Sequence, residues 1–142
     1  MGATGPTGAS TSLEGLNPDP ISLTGTDGST ANSLVTLAGL DAGSYLLIAR
    51  VQLNSASTTA SRVTCEASLG GKSLNGLADI GTNGGNVAHA VVTMTFNVTV
   101  VGTGSANLKC YRETLTGTAP TASKAYIELL LTGSATSLTV GS

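Results

Sequence analysis

From Val87 to Val101 the even positions Ala88, Ala90, Val92, Met94, Phe96, Val98 and Val100 are all apolar, whereas His89, Thr93, Thr95, Asn97 and Thr99 between them are polar. Only an extended chain sends successive side chains to opposite faces, so a period of two sustained over this length specifies a β-strand with one core face and one wet face. A helix would spread the same residues around its whole circumference. A half-buried strand is not stable alone, so the rest of the chain must supply partner strands and a second layer.

The remaining apolar residues fall in short runs bounded by Gly, Asn, Asp and Ser clusters, as strands and turns require. The runs predict strands at 21–24, 33–38, 44–54, 62–69, 73–80, 87–101, 106–113, 123–132 and 136–140, with no segment of helical period. This spacing reads as an all-β sandwich or barrel. The 142 residues suit one domain, divided as a stub at 1–11, a polar linker at 12–20 and a β head at 21–142. Its core must be thin, because the chain has one Phe and no Trp.

Two segments are apolar on both parities. In 44–54, Tyr45, Leu47, Ala49, Val51 and Leu53 form the inward set, yet Leu46 and Ile48 are apolar as well. Ile127, Leu129 and Leu131 stand in the same relation to Tyr126 and Leu130. A strand apolar on both faces is covered on both faces. The second cover is either another copy of the chain or a loop folded over the sheet. The first alternative marks Tyr45, Leu46, Ile48, Tyr126 and Leu130 as an oligomer interface.

The N-terminus reads Gly2-Ala3-Thr4, Gly5-Pro6-Thr7, Gly8-Ala9-Ser10, with Gly2, Gly5 and Gly8 in register. Collagen needs Gly at every third position because only a hydrogen fits at the axis of three chains; the alternative is a flexible linker. With one Pro among the triplets, the stub cannot hold three chains unaided. A collagen reading therefore demands that the head make the trimer.

Chemistry is sparse. Six basic and eight acidic side chains, net charge −2, form no run of either sign, so nucleic acid is not an expected partner. Neither a stretch of about 18 apolar residues nor a basic-then-apolar leader occurs, so neither membrane insertion nor the general secretory route is expected. His89, the sole histidine, has no nucleophile elbow or carboxylate cluster beside it, and the acidic residues lack metal-loop spacing. Catalytic residues, metal and cofactor are accordingly all expected to be none. Cys65 shares its parity with Val63, Ala67 and Leu69, and Cys110 shares its own with Ala106 and Leu108. Two inward cysteines bridge if their α-carbons approach within about 7 Å; the alternative is two buried free thiols.

A Gly-x-y stub ahead of a compact β head resembles the collagen-plus-head proteins, whose heads have the tumour-necrosis-factor-like or complement-type jelly-roll fold. The resemblance lies in Leu40-Asp41-Ala42-Gly43-Ser44-Tyr45-Leu46-Leu47, in Val63-Thr64-Cys65 and Leu108-Lys109-Cys110, and in Ala125-Tyr126-Ile127-Glu128-Leu129. Similar heads occur in bacteriophage virion proteins and in actinobacterial collagen-like surface proteins. The resemblance implies an antiparallel jelly-roll sandwich assembled as a homotrimer, with inner-sheet side chains packed around a threefold axis. It further implies a non-enzymatic virion structural protein, a head fibre, capsid decoration or tail-tip knob, held to a capsid or tail protein through the stub. The hydroxyl-rich loops would make at most a weak contact with a host-surface glycan. Virions assemble in the cytoplasm and leave by lysis, so placement on the virion surface agrees with the missing leader. The alternative is an adhesin-type head of a filament on a bacterial cell or spore surface.

Overall fold

The computed structural model describes residues 12–56, 60–80, 87–113 and 118–133. The triplets at Gly2, Gly5 and Gly8, the predicted strand at 136–140 and the whole of the 82–86 loop lie outside the described residues. The strands are β1 (Ser12–Asn17), β2 (Ile21–Ser22), β3 (Asn32–Leu40), β4 (Gly43–Ser55), β5 (Ser61–Leu69), β6 (Lys72–Ile80), β7 (Ala88–Val100), β8 (Gly104–Arg112) and β9 (Thr121–Gly133). No helix of the described residues is long and apolar enough to cross a membrane.

The strands form two antiparallel sheets, ordered β1-β9-β4-β7 and β3-β8-β5-β6, with β2 also paired to β9. The pairs nest: β5 with β6, β4 with β7, β3 with β8, β1 with β9. This is one long hairpin rolled up on itself, the jelly-roll arrangement. Its tip is the two-residue turn Gly70-Gly71, closed by Leu69 opposite Lys72. Both glycines have positive φ, 61° and 80°, the backbone that the favoured hairpin turns demand at both central positions.

Alternation sets the core. Leu47, Ala49, Val51 and Leu53 of β4 are fully buried, as are Ile127 and Leu129 of β9, and they meet Val63, Ala67 and Leu108 from the other sheet. The even residues of β7 from Val92 to Val100 point the same way and are buried. The predicted parity of β4 and β7 is thus the observed one.

Residues 12–17, expected in a linker, instead form an edge strand along β9 from Ser12 opposite Leu130 to Asn17 opposite Ala125. Leu13 lies level with inward Leu129 and Leu16 with outward Tyr126, so the two leucines face opposite ways and leave no apolar alternation to read. Gly15 is where β1 passes closest over β3: a Cβ there would stand 2.8 Å from Val35 Cγ1 and 2.9 Å from Leu37 Cδ2. Asn17 Nδ2 donates to the Leu34 carbonyl at 3.0 Å, tying the same crossing.

Candidate oligomer interface

The outer face of the β1-β9-β4-β7 sheet is built in levels. Leu46 stands between Leu130 and Asn97, with Ser12 beyond Leu130. The next level holds Glu14, Glu128, Ile48 and Thr95, and the third Leu16, Tyr126, Arg50 and Thr93. Leu46, Ile48, Tyr126 and Leu130 are each half-buried in the single chain, and Leu16 is 66% exposed. Four of the five residues expected at an interface therefore share one face. Tyr45 does not join them: it has the parity of Leu47, is buried between the sheets, and donates its hydroxyl to the Asp41 carbonyl at 2.7 Å. Burial, with the nearby Asp41 charge second, pushes its phenol up from the usual range.

The wet face of β7 also belongs to this surface, since Thr93 and Thr95 lie level with Arg50 and Ile48. The apolar stripe is thus central and bordered by hydroxyls. No periodicity within one strand could have shown that, because it depends on which strands become neighbours.

Below the stripe the sheet carries an irregularity. Between Arg50–Tyr126 and Gln52–Ser123 the pairing slips by one residue, so that Lys124 and Ala125 both oppose Val51. Lys124 takes φ 50°, the only positive φ at a non-glycine among the described residues. Such a bulge bends the strand and re-aims a side chain. Lys124 here lines an outer cleft of about 410 Å³ with Arg50, Gln52, Tyr126, Leu16 and Pro18.

The two ends of the sandwich differ. β1 begins opposite Leu130 and β9 ends opposite Ser44, so 1–11 and 134–142 attach at one pole. There, Leu13, Leu37, Leu40, Leu129 and Leu131 line a mostly apolar cavity of about 380 Å³ between the sheets. At the other pole β4 ends opposite Ala88, β9 begins opposite Asn54, and β5 begins opposite Ile80. The connections at 55–61, 81–87 and 113–120 all attach at this second pole. His89 also stands there on the outer face, its Nδ1 2.6 Å from Asn54 Oδ1.

The outer face of the other sheet is largely polar, with Leu77 its exposed apolar residue, and its charged groups pair with one another. Lys109 pairs with Glu66 at 3.2 Å, Arg62 with Asp79 at 2.7 Å, and the Thr64 hydroxyl donates to Glu113 at 2.6 Å. The Arg62 hydrogen bond holds the Asp79 carboxyl below the usual range. Between the sheets, Cys65 and Cys110 are joined in a disulfide. The described residues contain no group of three or more His, Cys, Asp and Glu side chains placed to share a metal ion.

No protein-family model matches the chain, and no curated protein matches it. Solved structures do. It is similar to the globular domain of zebrafish complement 1qA protein, at 8% identity over 85% of this chain and 96% of that one, with TM-score 0.49. It is similar to the Eiger TNF of S. frugiperda, at 9% identity over 84% and 92%, with TM-score 0.47. It is also similar to infectious bursal disease virus, Gx strain, at 12% identity and TM-score 0.51, over 86% of this chain but only 33% of the viral one. At such identities the likeness is one of fold, and the viral match agrees with the sandwich that the strand order defines.

Proposed function

We propose that the protein is a non-enzymatic, homotrimeric head displayed on a bacteriophage virion, with three copies joined through the outer face of the β1-β9-β4-β7 sheet. The observation that carries the assembly is the stripe of Leu46, Ile48, Tyr126 and Leu130 on a sheet whose opposite face is already filled by the core. Covering those four side chains removes apolar surface from water at about 25 cal/mol per Å², and a threefold arrangement covers it once per copy.

The placement of the poles supports the functional half. Residues 1–11 attach at one end and the three hydroxyl-rich connections at the other, so a capsid or tail protein holding the Gly-x-y stub leaves the loops facing outward. These loops carry hydroxyls and few charges or aromatic anchors. A host-surface glycan would be bound weakly at each site, with strength coming from threefold multivalency.

The experiment is deletion of residues 2–11 in the phage, leaving β1 intact. Particles should then lose the head while the purified chain stays folded, whereas shortening the three loops should leave incorporation unchanged and at most slow adsorption. Undiminished incorporation without residues 2–11 would make the head itself the attachment surface.

A further inference from the structure

The Lys, Arg and Glu side chains divide by whether they have a partner. Arg62 pairs with Asp79 and Lys109 with Glu66; Lys72 donates to the Asn97 carbonyl, Glu113 accepts from Thr64, and Arg112 is also engaged. The four remaining Lys, Arg and Glu side chains are Glu14, Glu128, Arg50 and Lys124, and none has a hydrogen bond or ion pair among the described residues. All four stand on the outer face of the β1-β9-β4-β7 sheet.

Two details make this more than a solvated surface. Glu14 lies directly opposite Glu128 across β1 and β9, a like-charge pairing that weakens a ladder unless a cation comes from outside it. Lys124, at the bulge, lines the same cleft as Arg50, in a left-handed backbone that L-residues adopt at a cost. The face thus keeps an acidic level beside Ile48 and, about 7 Å along the strands at 3.3 Å per residue, a basic cleft beside Tyr126.

We infer that the acidic pair Glu14 and Glu128 of one copy docks against the Arg50–Lys124 cleft of the next, forming the ionic lock that sets the register of the trimer. This rests on the reading of that face as the subunit interface. The charge count supports it: two acids and two bases per face are self-complementary, so a second copy of this chain is the partner that leaves no charge buried and unpaired. A cyclic trimer contact is heterologous, so two different patches of the same face meet across it.

Charge reversal in the full chain tests the lock, read by sedimentation at graded concentration and salt, with intact mass and circular dichroism confirming folded, disulfide-bonded protein. R50E/K124E and E14K/E128K should each weaken the trimer at least tenfold, and the fourfold swap combining them should recover it. R50Q/K124Q, which introduces no repulsion, should weaken assembly less and flatten its salt dependence. A native trimer that both reversals leave unchanged, or one that the swap fails to recover, overturns the lock while the trimer stands. A native chain that is monomeric at every concentration and salt overturns the interface itself.

Discussion

Cys65 and Cys110 face each other directly across β5 and β8, their α-carbons 4.0 Å apart and both side chains fully buried between the sheets. The bridge closes a separation of 45 residues. In the chain-entropy account such a closure stabilises by about 4 kcal/mol. Replacing both cysteines with Ala should lower the unfolding free energy by about that amount, measured by denaturant titration. Intact mass of the native chain should be lower by two hydrogens than its reduced form, and a denaturing non-reducing gel should show a single-chain band. A covalent dimer or trimer ladder would contradict the intrachain pairing.

Gly15 is a packing position. A Cβ there would enter the space of Val35 and Leu37, closer than carbon atoms tolerate. Gly15→Val should cost about 1–3 kcal/mol by overpacking. Gly28, whose Cβ would meet nothing within 4 Å, should accept Ala almost silently. Equal thermal shifts for the two variants would argue against the close passage of β1 over β3.

These positions also show how much of the molecule could be read in advance. The long alternation of β7 and the inward cysteines were legible because burial on one face imposes a period of two, which composition does not mask. β1 was not, since an edge strand with Leu13 facing in and Leu16 facing out carries no alternation. The outward set of Leu46, Ile48, Tyr126 and Leu130 is legible in the doubly apolar segments, whereas the bulge at Lys124 depends on pairing between β4 and β9, whose partners are far apart in sequence. Tyr45 had the apolar character of an interface residue and the parity of a core one, and parity decided.

Asp27 should titrate below the ordinary carboxylate range. The Ser29 hydroxyl is the main cause, with the Thr30 amide and hydroxyl next, all donating to its carboxylate. A depressed folded pKa contributes stability that is present above the unfolded value of about 3.9 and is lost as pH falls through the folded value. The Ser29 and Thr30 amide resonances should therefore shift together below the pH at which an ordinary carboxylate titrates. Asp27→Asn should abolish that titration; movement at the ordinary carboxylate pH would contradict the turn geometry.

Leu130→Asp and Ile48→Asp each place a carboxylate in the centre of the outer stripe. A carboxylate buried without a partner costs several kcal/mol, so about 3 kcal/mol corresponds to roughly a hundredfold weaker assembly. Ser73→Asp, exposed on the other sheet, should assemble normally. Thr93→Asp, on the same face as the stripe, should weaken assembly as well. If Ile48→Asp and Ser73→Asp assemble alike, the interface lies elsewhere.

Sedimentation equilibrium of the full chain at micromolar concentration distinguishes a trimer from a single chain by mass alone. The trimeric jelly roll should sediment as a single species of about 42 kDa, three times the chain mass of 13.9 kDa. A species at the mass of one chain, unchanged up to high micromolar concentration, would contradict it.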